Sequence, residues 1–224
     1  MSAVRTGVRG FGQFLITAGV VVLLFCAYEL WFTNIYTARE QHQLRNQISD
    51  VLSPEQPPLG TPEFPPLLAG HGIAVLRIPR LGQGYLKVIV EGVNVEDLKK
   101  GPGHYPHTAL PGQLGNFVVS GHRTTYGAPF NRLDEVKPGD SIILETRTSW
   151  YVYRETNELK VAPSALWVTF PVPNHLAQTP TQRLLTFTTC NPKYSARQRL
   201  VLFAHLISAQ PKSAGPPPEL GAGA

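Results

Sequence analysis

The sequence has almost no cysteine: Cys26 and Cys190 are the only two. One lies in an apolar N-terminal run and the other far out in the body, which excludes a disulfide between them. Charge is sparse as well, at 16% of residues, and the lysines and arginines behind the net +5 are scattered, with no dense basic block. Without such a block or any usual nucleic-acid motif, a nucleic-acid partner is excluded, and the basic balance suits an anionic membrane or wall. Acidic residues are thin too, the densest groups being Glu96-Asp97 and Asp134-Glu135. Neither resembles a calcium loop, so no metal and no other cofactor is expected. Long helical patterns are missing from the body of the chain. What is present is 42% hydrophobic residues, enough for a core, with 21 Pro and 20 Gly, which favour a turn-rich β body over a helical bundle.

The N-terminal run reads as an address. Phe14 to Tyr28 is interrupted only by Thr17, and extending it to Tyr36 gives 23 residues. As a helix that is roughly 35 Å, enough to span about 30 Å of hydrocarbon. Trp31, Phe32 and Tyr36 then fall where an aromatic belt belongs. A cleaved signal peptide would end in small residues, and Phe25-Cys26-Ala27-Tyr28-Glu29-Leu30 offers no such site. Residues 1–13 are therefore read as cytoplasmic and 14–36 as a single transmembrane anchor. Arg5, Arg9 and the amino terminus precede the span while Arg39 and Arg45 follow it, so the nearest charges favour N-terminus in and body out. Residues 37–71 read as a juxtamembrane stalk, with Leu44, Ile48 and Val51 at helical spacing, then a stiff spacer holding Pro54, Pro57, Pro58, Pro62, Pro65 and Pro66. Residues 209–224, with Pro216-Pro217-Pro218, read as a disordered tail.

Between them, over residues 72–208, the period is two. Ile73–Ile78, Leu86–Val90, Asn116–Ser120, Ser141–Thr146, Trp150–Glu155, Glu158–Val161, Leu184–Cys190 and Leu200–Ile207 are predicted strands, with turns at Lys137-Pro138-Gly139-Asp140 and Thr156-Asn157. One short helix is predicted over Asn94–Lys100, capped by Asn94 and stopped by Gly101. Short strands without long helices predict a closed or nearly closed β-barrel.

An unpaired thiol in an exported domain is unusual, and Cys190 ends the run Leu184-Leu-Thr-Phe-Thr-Thr-Cys190, just before Asn191-Pro192 breaks the strand. A cysteine nucleophile needs an imidazole and an oxyanion donor. Of the histidines, His42 and His71 lie outside the body, and His104 and His107 form a loop pair without further ligands. His175 sits in a loop, and His205 lies within a strand. His122 stands where Gly121 ends a strand, the same setting as Cys190. Arg197 and Arg199 are the donor candidates. If the strands around residues 191–198 pair, Arg199 faces Cys190 and Arg197 stays in the connection.

Four segments together resemble the class E (housekeeping) sortases of actinobacteria. They are Gly101-Pro-Gly-His-Tyr-Pro106, Gly115-Asn-Phe-Val-Val-Ser-Gly-His-Arg-Thr-Thr-Tyr-Gly127, Thr186-Phe-Thr-Thr-Cys190, and Asn191-Pro192-Lys-Tyr-Ser-Ala-Arg-Gln-Arg199-Leu-Val201. The resemblance runs from Gly72 to about Leu206. It implies a mostly β fold, the eight-stranded sortase barrel with short helices, behind an N-terminal membrane anchor and with an external active site. It also implies His122, Cys190 and Arg199 as catalytic residues, with Tyr105 and Thr189 in the substrate groove and the connection from Ala162 to Thr181 shaping it. The implied activity is transpeptidation of secreted proteins bearing a C-terminal sorting signal like Leu-Ala-x-Thr-Gly. The resemblance also implies a thioacyl-enzyme formed at the Thr–Gly bond and resolved by an amine of a lipid II-type peptidoglycan precursor. Two other readings stand beside it. An L,D-transpeptidase-like wall enzyme expects Ser-His-Gly before its cysteine, where this chain has Phe187-Thr-Thr. A non-catalytic, membrane-tethered wall-binding module would leave Cys190 idle.

Overall fold

Alternating strands that carry apolar side chains on one face close most readily by wrapping that face inward. The computed structural model, which describes residues 2–28, 33–53, 58 and 60–221, has this form. Eight strands, β1 (Gly72–Arg77), β2 (Leu86–Glu91), β3 (Gly103–His104), β4 (Gly115–Ser120), β5 (Ser141–Glu145), β6 (Ser149–Val161), β7 (Arg183–Asn191) and β8 (Gln198–Pro211), form a closed barrel in the order β1-β2-β3-β4-β7-β8-β6-β5. The pairs β2–β3 and β4–β7 are parallel and the rest antiparallel. Ile73, Ile89, Phe117, Phe187, Leu202 and Tyr153 fill the interior. Among the described residues the α-helices are α1 (Ser2–Ala27), α2 (Thr33–Gln47), α3 (Ser49–Leu52) and α4 (Val95–Lys100).

Two strand expectations change. Thr156-Asn157 is no turn: β6 runs through it, a bulge between Glu155 and Asn157 absorbs the extra residue, and Thr156 Oγ1 donates to Phe203 O at 3.1 Å. The two-residue β3 had no periodicity to betray it and makes up the eighth strand.

The segments flanking the barrel differ from expectation more. Among the described residues Arg5–Ala27 is a helix long and apolar enough to cross a membrane, and it overlaps the expected anchor over residues 14–27. Thr33 to Tyr36 belong instead to α2, whose Thr33, Thr37, Gln41 and Leu44 are buried. In place of a free stalk, α2 and α3 cover the outer face of β1 and β2, where Leu44, Ile48 and Val51 pack on Val75, Val88 and Val90. The reason is in the strands: Ala74, Val75, Leu76, Val88, Ile89 and Val90 are all fully buried, so both faces of β1–β2 need cover. Each fully buried Leu, Ile or Val contributes roughly 1.5–3 kcal/mol. Gln41 adds a polar clamp, donating to Val88 O (3.1 Å) and Lys100 O (2.8 Å) while accepting from Val88 N (2.8 Å).

The tail is ordered where disorder was expected. Lys212 pairs with Glu145 at 2.6 Å and donates to Val51 O, and Arg77 holds the same carboxylate at 3.0 Å. Leu220 packs on Ile143, Trp150 and Val152, covering a second apolar outer face. The Pro-rich segment is strapped down by Glu63, whose carboxylate accepts from Thr146, from Thr148 (2.6 Å) and from Ser149 (3.3 Å). Trp31 and Phe32 of the expected aromatic belt, Pro54 and Pro57 of the spacer, and residues 222–224 lie outside the described residues.

Candidate active site

Period-two alternation divides β4, β7 and β8 cleanly. Phe117, Val119, Leu185, Phe187, Leu200 and Leu202 turn into the core, so Ser120, Thr188, Cys190 and Arg199 stand on the outer face. Cys190 is half-buried and lies opposite Arg199 in the β7–β8 ladder, which extends one pair further, to Asn191 and Gln198. The hairpin connection is therefore shorter than expected, residues 192–197, and Arg197 stays within it, exposed.

His122 arrives from β4. Ser120 is the last β4 residue, opposite Thr188, and Gly121 N donates to Thr188 O at 3.1 Å, which brings His122 level with Cys190. Gly121 is dictated by crowding: a Cβ there would lie 2.7 Å from the Phe130 ring. The three residues predicted from strand ends are thus gathered at one end of three adjacent strands.

The imidazole sits 5.0 Å from the Tyr126 ring, with Thr125 Oγ1 at 3.4 Å from Nδ1. Its Nε2 is buried and has no hydrogen-bond partner among the described residues. Burial lowers the His122 pKa from its ordinary 6.5, which favours the neutral ring. The loop beyond is constrained: Tyr126, Gly127 and Ala128 follow one another with φ of 51°, 68° and 39°. Left-handed backbone costs a non-glycine residue about 1–2 kcal/mol. It is held by Ala128 N to Thr125 O (2.9 Å), Phe130 N to His122 O (3.1 Å) and Gly127 N to Asn34 Oδ1 (2.9 Å).

Arg199 Nη1 donates to Ala196 O and Gln198 O, both at 3.1 Å, so its guanidinium lies folded over its own hairpin. It also lines a narrow cleft of about 60 Å³ with Tyr105, Ser120 and Thr188, walled by the 162–182 connection. Asn116 pins that wall, donating to Val168 O and Phe170 O (3.0 Å each) and accepting from Thr186 Oγ1 at 2.7 Å. Trp167 anchors it from outside by stacking on Phe203.

Of the two expected groove residues, Tyr105 lines the cleft and Thr189 does not. Alternation turns Thr189 inward, where its hydroxyl donates to Gly121 O at 2.7 Å; Thr188 takes the outward place. Nor is His104 a loop residue. It is 1% exposed, bound through Nδ1 to Glu91 (2.7 Å) and through Nε2 to Thr108 (2.9 Å), and it ties β2 to β3. Sequence reasoning missed Arg123 altogether. Buried at 4% exposure, it pairs with Asp134 at 3.0 Å and donates to Asn131 O (3.1 Å) and Cys190 O (3.5 Å), joining the histidine loop to the cysteine strand. Its only sequence signal was its place beside His122.

Comparison with known proteins gives the family of the fold. The Sortase domain family matches residues 76–207. Sortase SrtE1 of Streptomyces coelicolor is 34% identical over 220 residues, covering 95% of this chain and 60% of that protein's length. Sortase SrtE2 of the same organism is 30% identical, over 89% of this chain and 81% of its own length. The structure of sortase E from Streptomyces avermitilis superposes with a TM-score of 0.62 at 44% identity, covering 68% of this chain and 99% of that one. Crystalline sortase E1 of S. coelicolor with a tripeptide in its active site gives 0.62 at 34% identity, over 67% and 97%. The chain belongs to the sortase family and, by its likeness to the sortase E structures, to class E within it.

Proposed function

We propose that the chain is a membrane-anchored transpeptidase that cuts a C-terminal sorting signal, Leu-Ala-x-Thr-Gly in pattern, between Thr and Gly. It then joins the new carboxyl end to an amine of a lipid II-type peptidoglycan precursor. The observation that supports this best is the pairing of Cys190 with Arg199 in the β7–β8 ladder, with Arg199 lining a narrow cleft and His122 two residues beyond the Ser120–Thr188 pair of the adjoining strand. Family membership supports the reaction class, and the apolar helix Arg5–Ala27 supports an anchor; in this reading the N-terminus lies inside and the barrel outside.

In this reading the extended peptide lies in the cleft and Cys190 Sγ attacks the Thr carbonyl carbon. The oxyanion draws Arg199 from its loop carbonyls, and losing one such donor costs on the order of 3 kcal/mol. His122 takes the Cys190 thiol proton as Sγ attacks, passes it to the departing glycine amine and later takes one from the incoming amine, work worth about 10²–10⁴-fold. The unpartnered Nε2 supports this, since that atom has no competing bond to break. Tyr105 contacts substrate; Thr189 acts from behind, holding the Gly121 carbonyl next to His122.

Incubating the protein with a Leu-Ala-x-Thr-Gly peptide and an amine tests the reading. Ligated product is expected, with a trappable thioester on Cys190 and more than about 10³-fold loss in Cys190→Ala at an unchanged melting temperature. Turnover by Cys190→Ala, or product formation without the thioester, overturns it.

A further inference from the structure

Helix α2 reaches the histidine loop. Asn34, in its first turn, accepts the Gly127 N–H at 2.9 Å, and Thr37 lies so near that a Cβ on Gly127 would meet its methyl at 3.0 Å. Gly127 is the centre of the left-handed triplet whose first member, Tyr126, packs on the His122 ring at 5.0 Å. Lys99 Nζ lies 6.0 Å from the same Tyr126 ring, and Thr37 Oγ1 donates to Lys99 O at 2.8 Å. The helix itself cannot drift, because the Gln41 clamp and the buried Leu44, Ile48 and Val51 fix it to the barrel. A continuous line of contacts thus runs from β1–β2 through α2, Gly127 and Tyr126 to the imidazole.

We propose that α2 is a working part of the active site, with Asn34 as a positioning residue that holds the 126–128 turn and, through Tyr126, the His122 ring. Tyrosine and alanine do not adopt left-handed backbone by preference, so the turn persists only while its surroundings over-determine it. Asn34 supplies a hydrogen bond to this turn from outside the loop. Without it the Gly127 N–H loses its acceptor, the turn relaxes, and the imidazole loses its setting against Tyr126. Cleft residues Tyr105, Ser120, Thr188 and Arg199 come from other elements, so substrate binding is untouched. The signature is a fall in kcat with KM unchanged, since misplacing a reacting group by about 1 Å can cost 10²-fold. The inference rests on the reading of His122 as the acid–base group.

The experiment uses the full chain with Asn34→Ala, Asn34→Asp, His122→Ala and the exposed Gln43→Ala, assayed on a sorting-type peptide with an amine. Asn34→Ala is expected to lower kcat about tenfold, with KM within about twofold and the limb of the pH profile set by the imidazole displaced. Asn34→Asp keeps an acceptor oxygen and should restore kcat to within about twofold, and Gln43→Ala should match the parent. Melting temperatures of all four check that each remains folded. An unchanged kcat in Asn34→Ala, a loss confined to KM, or an Asn34→Asp variant as impaired as the alanine overturns the proposal. If His122→Ala itself turns over normally, the catalytic reading fails. If His122→Ala is dead while Asn34→Ala is normal, only the role of α2 fails.

Discussion

The barrel has two outer faces built on opposite terms. On β1–β2 the outward residues are apolar, Val75, Val88 and Val90, and two helices cover them completely. On β4, β7 and β8 the outward residues are Ser120, Thr188, Cys190 and Arg199, and the 162–182 connection walls them without sealing them. Both faces lie on the same wall and obey the same alternation. What separates them is whether the outward side chains are better off under cover or in contact with a ligand. A buried apolar face gains only by being shut, whereas a row of hydroxyl, thiol and guanidinium groups is useful only if something can reach it.

Substitutions on each face should therefore fail in different assays. On the open face, Arg199→Lys is expected to lower turnover by about 10²–10³-fold, because a point ammonium cannot reproduce the planar fork, with no change in melting temperature. On the covered face, Ile48→Ala should lower stability by about 2–5 kcal/mol, read as the denaturant midpoint. A stable Ile48→Ala variant would mean that α2 and α3 only rest on the barrel.

A third patch of wall offers a finer contrast. Glu155 on β6 is 2% exposed, and neither of its carboxylate oxygens has a hydrogen-bond partner among the described residues. Burial first, then the neighbouring Glu158 and Asp140, push its pKa from 4.5 up to about 7. A carboxyl whose folded pKa is raised favours the fold while protonated, and that advantage is lost as pH rises from about 4.5 through 7. Glu155→Gln should thus match the parent in stability near pH 4 and exceed it by about 2 kcal/mol at pH 8. Equal stability at both pH values would show that the charge is relieved by some other means. The smallest effect belongs to Arg197→Lys, two residues from Arg199 and exposed in the hairpin connection. Its turnover should stay within about twofold of the parent on the same peptide, and a crippled Arg197→Lys would overturn the assignment of Arg199.

The open face was legible in the sequence because its residues sit at marked strand ends. Gly121 stops β4 just before His122, and Asn191-Pro192 follows Cys190, so alternation and a hairpin register sufficed to bring Arg199 opposite the thiol. The covered face was half legible. Leu44, Ile48 and Val51 stood at helical spacing, and Ile73–Leu76 and Val88–Val90 were apolar without a break. Yet Thr37 and Gln41, buried on the same helix, are polar and meet backbone carbonyls instead of side chains, a match that no periodicity reveals. Likewise the Thr156-Asn157 turn signal gave way to the β6–β8 ladder, where a bulge was cheaper than ending the strand. Arg123 and the Glu91–His104 pair depend on partners brought together by β-pairing, and nothing local announces them.

The place of β8 in the barrel carries a consequence for how the protein comes into being. It is the last strand in the chain, yet it lies between β7 and β6 and is the strand that closes the cylinder. Until it has emerged, β6 and β7 have no common neighbour, and Cys190 stands on a strand with one free edge. Such non-local pairing puts folding in the slow range typical of β architectures, roughly milliseconds to seconds. Because the same strand bears Arg199, closing the barrel and bringing Arg199 opposite Cys190 are one event: under the proposed function, a nascent or half-folded chain presents the thiol without its proposed donor until the last strand is in place.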